Sequence, residues 1–160
     1  MLEKTTRPRD VRRWPGAIPV RHRYTPGVAG EVFFTALRDE GVLLGSRCGR
    51  CDLVYAPARS FCERCFSGLV PDTEVGPGGE LVSFTIAFVD VDGASLEEPI
   101  VYGLVRLEGA DTAFLHRVLD AGEEPLEIGE HVEVVLRPQA ERTGSILDIE
   151  GFRPVEGLTG

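Results

Sequence analysis

All four cysteines of this 160-residue chain lie within eighteen positions, in "CGRCDLVYAPARSFCERC", residues 48–65. Cys48 and Cys51 form one C-x2-C pair, and Cys62 and Cys65 form the other, ten residues further on. A C-x2-C pair on a tight turn points two sulfurs at one ion, and two such knuckles facing each other complete a tetrahedron. Gly49 eases the backbone of the first turn, and the linker "DLVYAPARSF" is expected to form a small hairpin that brings the pairs together. The spacing predicts a closed four-thiolate zinc site at Cys48, Cys51, Cys62 and Cys65. Iron takes the same ligand geometry, and two disulfides or an empty site are the other ways to use four thiols. A thioredoxin-type redox pair needs a single C-x2-C at a strand-to-helix junction, which two pairs on one hairpin do not provide. With every coordination position taken by protein, no bound water is left to activate and no thiolate is free as a nucleophile, so the expected role of the metal is structural.

The compartment bears on this choice. The longest apolar runs, such as "GVLLG" and "FTIAFV", fall far short of the roughly twenty residues of a membrane span, and no charged-then-apolar leader is read at the start. The expected location is the cytoplasm, where thiols stay reduced and a compact set of four favours metal over disulfides.

Three segments are expected. Residues 1–27, with four prolines, many arginines and no sustained periodicity, read as a basic extended arm, with Trp14 and Tyr24 as possible anchors. Residues 28–69 hold a short amphipathic helix and the metal hairpin. In "VAGEVFFTALRDEG", Val28, Val32, Phe33, Ala36 and Leu37 recur at helical spacing, and Gly41 supplies the stop. Residues 70–160 read as mainly β: "GGELVSFTIAFVDVDG", "EPIVYGLVRLEGAD", "TAFLHRVLDAGEEP", "LEIGEHVEVVLRP" and "TGSILDIEGFRPV" each join β-branched or aromatic residues to turn signals. Five short strands in this length suit a small barrel of the OB-fold kind better than a sandwich. Its aromatics Phe84, Phe88, Tyr102, Phe114 and Phe152 sit in apolar strand patterns that predict core positions for most of them.

Charge narrows the function classes. The net charge of −9 is uneven: residues 1–30 carry +5, residues 31–69 are neutral and residues 70–160 carry −14. A polyanion would be repelled by the C-terminal part, against general nucleic-acid binding. A self-sufficient active site is also missing from the pattern. His22, His116 and His131 have no motif partner, "GPGGE" lacks the lysine and hydroxyl of a phosphate loop, and no G-x-S-x-G or H-E-x-x-H occurs. No catalytic residue is assigned. Arg47, Arg50, Arg59 and Arg64 around the hairpin either solubilise the module or line a site for an anionic ligand such as a phosphate.

The helix "EVFFTALRDEGVLLGSRC", the hairpin "CGRCDLVYAPARSFCERCF", the barrel opening "GPGGELVSFTIAFVD" and the later "IGEHVEVVLRP", in that order, resemble a known family. It is the acyl-CoA-associated family once called domain of unknown function 35, built from a rubredoxin-like zinc ribbon followed by an OB-fold. The resemblance runs from about Tyr24 to Pro154. Pro57, Arg59, Cys62 and Cys65 stand at the family's proline-arginine-knuckle signature, with "APAR" in place of its usual paired prolines. Members are accessory subunits of thiolase-like enzymes, among them 3-ketoacyl-CoA thiolases, hydroxymethylglutaryl-CoA synthases and lipid-transfer-type aldolases. The resemblance therefore implies a chain without catalysis of its own that docks on such an enzyme and helps hold the CoA end of an acyl-CoA substrate, with Arg47, Arg50, Arg59 and Arg64 available for the phosphates. The rival class is a nucleic-acid-binding ribbon and barrel, which needs a basic groove with stacking aromatics. An independent acyl-CoA hydrolase or an iron electron carrier has no further support in the residues.

Overall fold

The structure is a computed structural model and describes residues 16, 24–121 and 125–155. Trp14, His22 and most of the basic arm, and part of the "GEEP" loop, lie outside the described residues.

The first element is a helix, α1 (Gly27–Asp39), whose Ala29, Phe33 and Leu37 fall four residues apart and form its buried stripe. Of the two adjacent phenylalanines, Phe33 is buried and Phe34 packs half-buried beside the same core. Val28 points outward. The helix ends as the sequence predicts: the amides of Glu40 and Gly41 both donate to the Ala36 carbonyl, at 2.9 and 3.0 Å, and Gly41 takes φ 73°.

Three short strands follow as one antiparallel sheet. β1 (Leu43–Cys48) lies in the middle, with β2 (Leu53–Tyr55) paired along its second half and β3 (Thr73–Val75) along its first. Gly45 allows this: a Cβ there would sit 2.6 Å from the Tyr55 carbonyl. The metal hairpin differs from expectation in one respect. The first cysteine pair sits at the β1–β2 turn itself, so the hairpin encloses a knuckle and does not lie between the two. The linker instead runs back along β1, its Ala58 amide bonded to the Leu44 carbonyl at 3.0 Å and its Arg59 amide to the buried Ser46 hydroxyl at 3.0 Å.

The remaining strands close a five-stranded barrel: β4 (Gly78–Val89), β5 (Ser95–Leu107), β6 (Ala113–Val118), β7 (His131–Leu136) and β8 (Ile149–Pro154), in the order β4-β5-β6-β8-β7. Neighbours are antiparallel except β6 and β8, which meet in parallel at Val118 and Phe152. This is the OB-fold topology. β4 closes the barrel because its first residues pair on both sides, Gly79 standing opposite Leu107 and Val132.

Phe33, Phe114 and Phe152 stack from helix to barrel interior, with ring centroids 6.4 and 6.1 Å apart in succession. Leu43, Val54 and Val75 of the small sheet join the same buried cluster as Leu81, Val105, Val132 and Ile149 of the barrel. The expectation of a core position fails for two barrel aromatics. Phe88 and Tyr102 are exposed. Phe88 lies where β4 and β5 run on as a two-stranded hairpin past the point where β6 and β7 stop pairing with them, whereas Tyr102, opposite Arg117 of β6, points to the outer face of the sheet while Gly103 beside it is buried.

Candidate metal centre

The two knuckles are built alike. In the first, the backbone amides of Arg50 and Cys51 hydrogen-bond the Cys48 sulfur; in the second, those of Arg64 and Cys65 hydrogen-bond the Cys62 sulfur. The amide of Asp52 donates to the Cys48 carbonyl at 2.8 Å, and the amide of Phe66 to the Cys62 carbonyl at 2.9 Å. Asp52 and Phe66 both take the left-handed backbone, with φ 53° and 56°. Asp tolerates that conformation; an aromatic residue there is unusual and is held by the turn around it.

The four sulfurs lie within 4.8 Å of one another. Cys48 Sγ is 3.6 Å from Cys65 Sγ, and Cys51 Sγ is 3.9 Å from Cys62 Sγ. These separations are far beyond the roughly 2.05 Å of a disulfide. They match the edge of about 3.8 Å that a tetrahedron of thiolates has when each is about 2.3 Å from zinc. The donor set therefore fits a closed zinc site, with Cys48 and Cys62 buried and Cys51 and Cys65 half-buried.

Electrostatics argue in the same direction. The Tyr55 hydroxyl donates to Cys62 Sγ at 3.2 Å. That hydrogen bond holds the Cys62 thiol down to about 6 and pushes the Tyr55 hydroxyl up to about 12. Cys48 is also lowered, chiefly by the Ser67 hydroxyl 3.4 Å away, and Ser67 lies 3.1 Å from Cys65 Sγ as well. Cys51, sharing its proton with Cys65 and desolvated, is pushed up to about 12. Four sulfurs this close do not all ionise by themselves, and a divalent cation supplies the missing positive charge. When bound, such an ion with no open position cross-links the chain and activates nothing.

The four arginines named from the sequence do not form one cluster of like character. Arg47 is paired with Asp52 at 2.6 Å, and Arg59 with Glu63 at 2.9 Å. The Arg59 guanidinium also sits over the Tyr55 ring, 5.2 Å from its centroid. Arg50 and Arg64 occupy matching places in the two knuckles, and among the described residues both are exposed without an acidic partner. Beside the second knuckle, Phe61 and Phe66 are exposed as well.

Sequence patterns did not single out Tyr55 or Ser67, because a hydroxyl aimed at sulfur has no periodic signature. His116 packs beside both the Phe114 and Phe152 rings, and burial pushes its imidazole down. Its Nδ1 is buried without a hydrogen-bond partner. His131 stands 3.9 Å from Glu108, beside Gly78 at the start of β4. Neither approaches the sulfur cluster closely enough to share a hydrogen bond with it. Among the described residues no helix is long and apolar enough to cross a membrane.

A four-cysteine ribbon sheet joined to a five-stranded OB barrel defines the class as a zinc-ribbon/OB-fold protein. Comparison with known proteins places it further. Residues 35–70 match the family model described as ChsH2, rubredoxin-like zinc ribbon domain, and residues 72–137 match ChsH2, C-terminal OB-fold domain. A DUF35 domain-containing scaffold protein of Methanothermobacter thermautotrophicus is 30% identical over 113 residues, 69% of this chain and 84% of that one. A protein of the same description from Methanocaldococcus jannaschii is 25% identical over 123 residues, covering 75% of this chain and 86% of that one. The chain belongs to the DUF35 family of zinc-ribbon/OB-fold proteins.

Two solved structures share the fold. A DUF35-family protein of unknown function from Sulfolobus solfataricus superposes with TM-score 0.58 at 25% identity, covering 80% of this chain and 84% of that one. A chain of the structure described as Ltp2-ChsH2(DUF35) aldolase superposes with TM-score 0.57 at 23% identity, covering 82% of this chain and 98% of that one.

Proposed function

We propose that this chain is a non-catalytic accessory subunit that docks on a thiolase-like enzyme and helps bind a CoA thioester. The observation that carries the proposal is the closed four-sulfur site: all four cysteines are committed to one cluster, so the chain's most reactive side chains serve rigidity. Support comes from the relatives, which are described as scaffold proteins, and from a fold neighbour whose description couples ChsH2 to an aldolase. The partner enzyme, be it a thiolase, an HMG-CoA-synthase-like enzyme or a lipid-transfer-type aldolase, brings the nucleophile.

Within this role Arg50 and Arg64 are the side chains best suited to CoA phosphates. They project from two metal-stiffened turns and are not already neutralised, so each can form charge-assisted hydrogen bonds to a phosphate. Arg47 and Arg59 must first release Asp52 and Glu63, and they contribute less.

The test is purification of the tagged full chain from its native host, with identification of the bound proteins and assay of the eluate. A stoichiometric thiolase-like subunit is expected, with acyl-CoA turnover in the complex and none in the chain alone. Turnover of a thioester by the chain alone, or ribosomal RNA in place of an enzyme, would overturn the proposal. In the complex, Arg50→Ala with Arg64→Ala is expected to raise KM for the CoA thioester about 10-fold, with kcat little changed.

A further inference from the structure

The β4–β5 hairpin is unlike the rest of the barrel. From Gly78 to Leu81, β4 is bonded on both sides, to β5 and to β7 or Glu130. From Ser83 to Val89 its only backbone partner among the described residues is β5, so one edge of the strand is open. Open edges are templates for strand addition, and proteins usually blunt them with lysine, proline or an inward-pointing charge. "SFTIAFV", residues 83–89, has none of these, and its register is disturbed only at its ends, between Leu81 and Ser83 and between Ala87 and Val89.

The hairpin is also apolar where water should meet it. Phe88 is 62% exposed, and Ile86, Val89 and Val91 are exposed with it. The opposite face of the sheet carries exposed apolar residues as well, where Leu104 stands opposite Leu115 in the next strand and both are exposed. A two-stranded ribbon with such surfaces is marginal by itself.

Charge selects the occupant. Between Cys65 and Val105 there is no lysine or arginine, whereas Asp72, Glu74, Glu80, Asp90, Asp92, Glu97 and Glu98 are all present. Glu80 is already paired with Arg106, but two copies paired antiparallel through Thr85 and Ile86 would run the Asp90–Asp92 tip of each into the Gly79–Leu81 edge that β7 and Glu130 already occupy, so a second copy fits poorly. We propose that the Ser83–Val89 edge of β4 is completed by an extended segment of the thiolase-like partner, one that alternates apolar residues and is flanked by lysine or arginine. Main-chain hydrogen bonds along the edge then give affinity, and the acidic tip fixes direction and register. This rests on the accessory-subunit role above and adds which surface does the docking.

Hydrogen–deuterium exchange of the full chain, free and in the complex with the co-purifying thiolase-like subunit, tests it. Amides of residues 83–89 are expected to exchange at least about 10-fold more slowly in the complex. Phe88→Lys and Asp92→Lys, both outside the closed part of the barrel, are each expected to weaken the complex at least about 10-fold, the second most at low salt. A complex that forms with unchanged exchange at residues 83–89, or with unchanged affinity in both variants, overturns this proposal and leaves the accessory role standing. Protection that appears in the free chain with rising concentration assigns the edge to a second copy and also overturns it. Failure to bind any thiolase-like enzyme removes both.

Discussion

Tyr55 is fully buried, and its hydroxyl donates to the Cys62 sulfur. Partners of this kind around a metal ligand set its orientation and basicity, and losing one typically costs 10–100-fold in metal affinity, that is about 1.4–2.7 kcal/mol. Tyr55→Phe keeps the ring, so the fold should persist while zinc affinity falls by about that factor, measured by competition with a chromophoric chelator. An unchanged affinity would mean that the hydroxyl only fills space. Asp148 is the other residue whose surroundings decide its state. It is fully buried, which by itself would raise its pKa, yet it accepts hydrogen bonds from the amides of Thr143, Gly144 and Ser145 and from the Thr143 hydroxyl, and the net effect holds it below the ordinary carboxylate range. A carboxylate lowered in the folded state contributes stability that is present above its unfolded pKa of about 3.9 and is lost as pH falls through the folded value. Asp148→Asn, which turns an NH2 toward these donors, should cost about 2–4 kcal/mol at pH 7 and flatten the acid limb of the stability curve, checked by denaturant titration from pH 7 to 3.

At the level of elements, the barrel depends on how tightly β4 lies between β5 and β7. A Cβ on Gly79 would stand 2.5 Å from the Arg106 carbonyl and 2.9 Å from the Leu107 Cα, both backbone atoms that cannot swing aside. Gly79→Ala must therefore push two strands apart where the barrel closes, at a cost of about 1–3 kcal/mol. The expected thermal midpoint is about 3–10 °C lower, read by calorimetry. A midpoint within a degree of the parent would show that closure is looser than this packing implies. Helix α1 needs less explanation: helical spacing and a left-handed glycine at its end place it where it forms, although its buried stripe runs through Ala29, Phe33 and Leu37 and leaves the expected Val28 exposed. The metal hairpin shows the opposite case. Spacing located the ligands, but the partition into two equivalent turns depends on β2 pairing with β1, a contact that the linker sequence does not announce.

At the scale of the whole molecule, the described residues hold two buried clusters. One runs unbroken from α1 through β1 and β3 into the barrel, and the other, Cys48, Tyr55 and Cys62, is confined to the ribbon tip. The first is hydrophobic and independent of metal; the second exists around the sulfurs. Stripping the metal with a chelator should consequently release the amides of residues 48–52 and 60–69 to fast exchange while β4–β8, and the 54–58 stretch whose Val54, Ala56 and Ala58 share the hydrophobic cluster, stay protected, because the binding free energy of a structural ion is spent on ordering its own ligand loops. Simultaneous loss of both regions would mean that the ribbon also holds the barrel together. The same arrangement suits an adaptor, in which a stiff tip and an open-edged hairpin are presented from one continuous core.

The sequence by itself determined the four sulfur ligands, the helix and the number of barrel strands. Ligand spacing, helical period and strand alternation are local, and local geometry enforces them. It also placed the acidic charge in the barrel half. Only the tertiary structure decided that Arg47 and Arg59 are neutralised by Asp52 and Glu63 while Arg50 and Arg64 are not, and that Tyr55 serves Cys62. It alone decided, too, that Phe88 and Tyr102, which read as core residues, stand on the surface. The ion pairs and the Tyr55 hydrogen bond are near neighbours in sequence, four to seven residues apart, yet which of several nearby groups meet is set by the folded path of the knuckles. The exposure of Phe88 and Tyr102 depends on where β4 and β5 outrun their neighbours and on which face of the sheet turns outward, contacts between residues far apart in the chain.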